Sequence, residues 1–166
     1  MANTYIDVNG VEVAFTQTGP GTQGQGVGLN SAGVVDSTLM PAGYGPTTIT
    51  VIASESMAAG AVVNLWNNSG VLNVQNANAT DNTKPYHGFV LSSYAPTASA
   101  QVYLPGSVIS GLSGLTIGAD YYLSTTDGQV ASDVSGYSGG NIRQYVGVAI
   151  SATQIATGMT LFTTTI

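Results

Sequence analysis

Gly19-Pro20-Gly21-Thr22-Gln23-Gly24 matches G-x-G-x-x-G and follows a strand-like run, the arrangement in which a tight glycine turn carries a dinucleotide pyrophosphate to a helix N-terminus. The continuation, Gln25-Gly26-Val27-Gly28-Leu29-Asn30, is a poor helix former. Without a helix behind the glycines no row of free N–H groups awaits a phosphate, so the reading is a flexible segment. Gly136-Tyr137-Ser138-Gly139-Gly140 matches G-x-S-x-G, the strand-to-helix elbow that presents a nucleophilic serine. Here the next residues, Asn141-Ile142-Arg143-Gln144-Tyr145-Val146, read as a strand, and the single histidine, His87, precedes the serine where that fold places it after. A Gly-Ser loop is expected. His87 stands at the head of the run Pro85-Tyr86-His87-Gly88-Phe89-Val90 with no aligned acid-base partner, so a structural histidine is expected.

Asp120, Asp127 and Asp133 offer oxygen ligands, but they lack the alternate spacing and closing glutamate of an EF-hand loop, so turn and strand-end duty is expected and no metal or cofactor is assigned. Trp66 and the pair Tyr121-Tyr122 raise sugar stacking. Adjacent strand residues point to opposite faces, so at most one tyrosine of the pair joins a platform and the other packs in the core. The sequons Asn67-Asn68-Ser69 and Asn78-Ala79-Thr80 carry little weight without a secretory signal.

The elements that must position these residues belong to a chain of unusual composition. Charged residues are 6% of its 166 residues, against about 25% in an ordinary soluble domain. Thr, Asn and Gly cost less to desolvate than Lys or Glu, so such surfaces suit close contact with identical neighbours. Lys84 and Arg143 are the only basic residues and the net charge is -6. The chain therefore cannot neutralise a run of phosphates, and no nucleic acid is expected as partner. Cysteine is absent, which removes disulfides, thiol nucleophiles and zinc-cysteine sites. The start Met1-Ala2-Asn3-Thr4-Tyr5-Ile6-Asp7 lacks the basic and apolar parts of a signal peptide, and no run approaches a membrane span, so cytoplasmic synthesis and no membrane partner are expected.

Along the chain, Thr4-Tyr5-Ile6-Asp7-Val8 and Val11-Glu12-Val13-Ala14-Phe15 flank Asn9-Gly10, the dipeptide that takes both positive-φ positions of a type I′ turn. That loop pairs Val8 with Val11 and Ile6 with Val13, so Ile6, Val8, Val11, Val13 and Phe15 form a packing face, with Asp7 opposite Glu12 on the wet side. From 18 to 46 only Asp36 is charged, and the glycine-rich part has too few apolar side chains to offset its ordering entropy, so an extended arm is expected. From 47 to 166 short β-branched and aromatic runs alternate with Gly, Asn, Asp and Pro. Strands are predicted near 48–53, 61–66, 71–75, 87–94, 101–104, 121–124, 144–151 and 159–164, with turns at Asn68-Ser69-Gly70 and Thr126-Asp127-Gly128. Residues 54–63 hold Gly60 and end in β-branched residues, which argues against a helix. The expected fold is all-β: a hairpin and extended Gly-rich arm over 1–46, then a small antiparallel barrel or sandwich over 47–166.

From about residue 57 onward the chain resembles a small β-domain that recurs in virion structural proteins of tailed phages, in capsid decoration (cement) and head-fibre proteins among others. The resemblance rests on Ala59-Gly60-Ala61-Val62-Val63, His87-Gly88-Phe89-Val90, Gly114-Leu115-Thr116-Ile117-Gly118-Ala119-Asp120-Tyr121-Tyr122-Leu123-Ser124 and Gln144-Tyr145-Val146-Gly147-Val148-Ala149-Ile150-Ser151-Ala152-Thr153, in that order. Physically these read as staves and corners: Gly88 and Gly147 suit places where strands bend or backbones approach closely, and Leu115-Thr116-Ile117-Gly118 reads as a strand exit. The resemblance implies a bacteriophage structural protein with no catalytic residues.

Together these readings predict a non-enzymatic capsid decoration or cement protein on the outer capsid surface of the virion, a homotrimer that binds and stabilises the head. The major capsid protein is the expected partner, and Val27, Leu29, Val34, Val35, Leu39, Met40 and Tyr44 are the expected capsid-binding arm residues. The alternatives are a tail or head-fibre module binding host glycans through exposed aromatics, and a hydrolase depending on His87 or Ser138.

Overall fold

The computed structural model describes residues 4–8, 11–15, 47–158 and 163–165, with side chains described over 47–158. The chain divides into two compact units, Met1–Gly45 and Pro46–Ile166. In the first, β1 (Thr4–Val8) and β2 (Val11–Phe15) pair antiparallel with Val8 opposite Val11, Ile6 opposite Val13 and Asp7 opposite Glu12. This is the register that a two-residue connection dictates. The turn residues Asn9 and Gly10, and the side chains of the predicted packing face, lie outside the description, as does the whole predicted capsid-binding arm from Val27 to Tyr44.

The second unit is all-β, with no helix among the described residues. Its first half is a closed barrel of β3 (Thr48–Ala53), β4 (Val62–Asn68), β5 (Val71–Asn76), β6 (Gly88–Phe89) and β7 (Ser99–Tyr103), in the order β3-β5-β4-β6-β7. The barrel closes through a parallel pair, β3 with β5, which the expectation of an antiparallel barrel did not contain; its other pairs are antiparallel. The second half is a sheet in the order β10-β9-β11-β12-β8, made of β8 (Val108–Ile109), β9 (Asp120–Leu123), β10 (Val130–Ala131), β11 (Ile142–Ser151) and β12 (Gln154–Thr157), with β13 (Thr163–Thr165) also paired to β11.

Alternation along the strands explains how these two halves share residues. On β4, Val62 and Val63 point to opposite faces, and both are fully buried. Val63 joins Val51, Ala53, Val74, Val90, Ala100 and Val102 inside the barrel. Val62 joins Phe89, Ile109, Tyr121, Leu123, Val146 and Ile155 in a second core that includes residues of the sheet. Phe89 and Val90 divide in the same way, which is why these segments read as continuous apolar runs rather than alternating ones. The Phe89 ring stacks on Tyr103 at 5.4 Å and extends the second core across to β7.

Two glycines make this packing possible. A Cβ on Gly88 would sit 2.5 Å from the Tyr103 carbonyl oxygen and 2.9 Å from Val102 Cγ1, and one on Gly147 would run into the Ala156 carbonyl and Ile155 Cγ2. Gly147 also stands at a register shift between β11 and β9, where the strand bends. The close approach read from the sequence at both positions is therefore present. The β4–β5 connection is a two-residue turn with positive φ at both Ser69 (54°) and Gly70 (92°), the type I′ pattern, and the Asn67 side chain accepts the Gly70 N–H at 2.7 Å. At Thr126-Asp127-Gly128 the glycine takes φ 67° as the turn chemistry requires.

Several predicted elements differ. The strand predicted at 87–94 is reduced to Gly88–Phe89, with an isolated bridge between Met57 and Tyr94; His87 meets the neighbouring strand through both its backbone N–H and its ring. Leu115-Thr116-Ile117-Gly118 does not leave a strand. It turns into β9, with Gly118 at φ 79° donating its N–H to Ala149 O at 2.8 Å. Strands β8, β10 and β12 were not predicted; the strand predicted at 159–164 corresponds to β13, and residues 159–162 lie outside the description.

Gln144 clamps the segment before the barrel strand β6 to the sheet. Its Oε1 accepts the Tyr86 N–H at 2.6 Å and its Nε2 donates to the Tyr86 carbonyl at 2.8 Å, with Gln144 1% exposed. Replacement by leucine leaves a buried donor and acceptor unpaired. Gln144→Leu is expected to lower unfolding free energy by about 3 kcal/mol in urea denaturation; a loss below about 1 kcal/mol would show that water replaces the amide. Gly147→Ala is expected to cost about 2–3 kcal/mol in the same assay through forced overpacking, whereas Gly136→Ala should stay within about 0.5 kcal/mol. No atom lies within 4 Å of the position a Cβ on Gly136 would take. Equal costs at the two glycines would refute the close-approach account.

Candidate functional site

His87 is held by its ring. Its own N–H donates to Val63 O at 2.9 Å, and its Nδ1 accepts the backbone N–H of Leu65 at 3.1 Å. Because a backbone amide can only donate, Nδ1 must keep its lone pair and the neutral ring carries its proton on Nε2. Asn64, 1% exposed, spans this region: its Nδ2 donates to Pro85 O at 2.9 Å and lies 3.2 Å from Nδ1, while its Oδ1 accepts Gln75 Nε2 at 3.1 Å. Burial lowers the His87 pKa from 6.5. With one nitrogen engaged and the other protonated, the ring presents no free lone pair for proton abstraction.

Ser138 is exposed in a loop of turns, its carbonyl accepts the Asn141 N–H at 3.1 Å, and the chain then enters β11. The strand-to-helix elbow of a nucleophilic serine is not formed. Asp127 accepts Asn78 Nδ2 at 2.6 Å, and Asp133 accepts both the backbone N–H of Ser135 (2.8 Å) and its hydroxyl (3.0 Å). The backbone bond, then the hydroxyl, hold the Asp133 carboxyl below its usual pKa. No three His, Cys, Asp or Glu side chains converge on a metal-sized space among the described residues.

The aromatic residues separate as alternation requires. Tyr121 is buried and its hydroxyl accepts the Thr116 N–H at 3.0 Å, while Tyr122 is half-buried on the opposite face of β9. Trp66 belongs to the barrel and is half-buried, its indole N–H donating to Ser54 Oγ at 3.0 Å. Trp66 and Tyr122 thus lie on different sheets.

Sequence reasoning missed a constellation that only the strand register creates. Tyr122 on β9 pairs with Tyr145 on β11, which brings the rings to 5.8 Å at 73°. Two residues earlier on each strand, on the same faces, stand Asp120 and Arg143. The Arg143 guanidinium carbon lies 5.2 Å from the Tyr122 ring centre, a cation–π contact. Asp120, Tyr122, Ser132, Asp133, Ser135 and Arg143 line a cleft of about 550 Å³. Burial, then the charge of Asp120, raise the Tyr145 pKa. A second cleft of about 540 Å³, lined by Gly60, Leu112, Leu115, Tyr121 and Gln129 among others, shares Ser132 and Asp133 with the first. The sequence signal for the first cleft was the alternation Asp120-x-Tyr122 and Arg143-x-Tyr145, legible only once the two strands are known to be neighbours.

No family model matches the chain, and no curated protein matches it. It is similar to a solved structure described as "head fiber gp8.5 N base in bacteriophage phi29", with 11% sequence identity and a TM-score of 0.47 over 70% of this chain and 97% of that one.

The His87 geometry sets a pH dependence. The folded pKa lies below the ordinary 6.5, so the unfolded chain binds more protons as pH falls through that value and stability drops toward the folded pKa. His87 is the chain's single histidine. Between about pH 7 and pH 5 the thermal midpoint is expected to decline, and His87→Gln to flatten that decline over the same window. An unchanged slope in the variant would remove His87 as its cause.

Proposed function

We propose that this chain is a non-enzymatic structural protein of a tailed-phage particle, a decoration or cement protein seated on the outer surface of the head. The observation that carries this reading is the scarcity of ionic groups: 6% of the sequence, with two basic residues in all. A surface built from Thr, Ser, Asn and Gly loses little on desolvation, which suits a protein held by copies of itself and by a shell. The separation into a hairpin-bearing unit and a compact β-unit supports a division of labour, with the glycine-rich residues between β2 and β3 as the contact segment. Apolar side chains left in solvent on the β-unit, Val71 and Leu72 at the β4–β5 hairpin and Ile117 before β9, add surface that an assembly would cover.

In this reading the major capsid protein is the partner, Val27, Leu29, Val34, Val35, Leu39, Met40 and Tyr44 hold it, and the assembled state is a trimer. A stable attachment buries upwards of about 1,000 Å², more than a compact unit alone readily presents to a curved shell, and an arm that orders on contact supplies the difference.

The test uses purified source particles stripped of the protein. Full-length chain is expected to co-sediment with them and to scatter light as three chains, while a chain lacking residues 1–46 is expected to stay folded by circular dichroism and remain in the supernatant. A truncated chain that still decorates the particle would refute the arm; a full-length chain that never co-sediments would refute the decoration reading itself.

A further inference from the structure

The described part of the second unit has seven ionic side chains, Glu55, Asp81, Lys84, Asp120, Asp127, Asp133 and Arg143, spread over residues 47–158. Three of them, Asp120, Asp133 and Arg143, line one cleft together with Tyr122. All three are exposed, so their donors and acceptors stand open to a ligand from solvent.

The arrangement selects its ligand by exclusion. Two carboxylates repel a phosphate or other anion. No third carboxylate or imidazole among the described residues joins them to hold a metal ion, and an apolar ligand would strip water from three ions with no return. A neutral polyol satisfies all three: its hydroxyls donate to the carboxylates and accept from the guanidinium, and its C–H edges pack on a tyrosine ring. Arg143 is held against Tyr122, so its donors keep a fixed direction, and Asp133 is fixed by both hydrogen bonds to Ser135. The Ser132 hydroxyl on the same lining adds a neutral donor and acceptor.

We propose that the cleft formed by Asp120, Tyr122, Asp133 and Arg143 binds a neutral saccharide residue. The site lies wholly within the β-unit and uses none of the arm residues, so it stands or falls apart from particle attachment.

The full chain is titrated with methyl glycosides of glucose, galactose, mannose and N-acetylglucosamine, and amide NMR shifts are followed. At least one sugar is expected to shift residues 120–122, 132–135 and 143 in a saturable way. Arg143→Gln and Asp120→Asn are each expected to weaken that binding about 10-fold or more. Their melting temperatures should be unchanged, and Lys84→Gln should bind as the parent does. Saturable shifts elsewhere, no shift with any of the sugars, undiminished binding by Arg143→Gln, or tighter binding of inorganic phosphate or calcium at these residues would each overturn the proposal.

Discussion

Strands β4 and β6 lie between two apolar cores, and the rest of the β-unit follows from that constraint. A strand alternates its side chains, so Val62 and Val63, or Phe89 and Val90, cannot enter the same core. If the barrel stood alone, Val62 and Phe89 would face water, at a cost of about 1.5–3 kcal/mol for each side chain. The second sheet covers them with Ile109, Tyr121, Leu123, Val146 and Ile155. Barrel and sheet therefore form one unit energetically. The close approaches at Gly88 and Gly147 are the steric condition for it, since a methyl group at either position would meet backbone that has no room to retreat.

Where backbone groups are left over by this packing, neutral side chains satisfy them. The Leu65 N–H would be orphaned because β6 is only two residues long, and the His87 ring takes it. Tyr86 has no strand partner, and the Gln144 amide supplies both halves of one. Thr157 does the same for the turn before β8: its Oγ1 accepts the N–H groups of Gly106 and Ser107 and donates to Ser107 O. These are ladder bonds supplied by amide, imidazole and hydroxyl groups, each cheaper to bury than an ion. The low charge content of the sequence is thus an internal feature of the fold as well as a surface one.

The strand β3 was legible to the residue, because Thr-Ile-Thr-Val-Ile-Ala alternates over a partly exposed stave, and so was the hairpin register, because Asn-Gly fixes it. After Ser138 the chain enters β11, as its strand-like continuation implied, whereas Gly19 to Gly24 lie outside the described residues. What was not legible depended on partners distant in sequence. Strand β12 follows Ala152-Thr153, a pair with no turn signal, and exists because Gly147, Val148 and Ala149 offer it a ladder. Strands β8 and β10 are two residues each, too short for any periodicity, and are placed by Ile155 and Leu123 respectively. The Arg143 cleft was hidden for the same reason: its aspartates and tyrosines were visible one at a time, but their meeting is a consequence of β9 lying beside β11.

The remaining ions show what charge is for in such a chain. Glu55 accepts the Asn76 N–H at 2.7 Å, Asp81 the Thr83 N–H at 2.9 Å, and Asp133 the Ser135 N–H at 2.8 Å, while Asp127 takes the Asn78 amide. Each fixes a turn or connection, where an ionised acceptor forms a stronger bond than a neutral one. The hydroxyl and N–H of Thr83 hold the Asp81 carboxyl below its usual pKa, and the N–H and hydroxyl of Ser135 do the same for Asp133. Asp120 and Arg143 have no such turn to hold. They sit two residues from a paired tyrosine on neighbouring strands and each bears on that pair, Arg143 over the Tyr122 ring and Asp120 beside the Tyr145 hydroxyl, so the charge that fixes no turn is spent on the tyrosines that join β9 to β11.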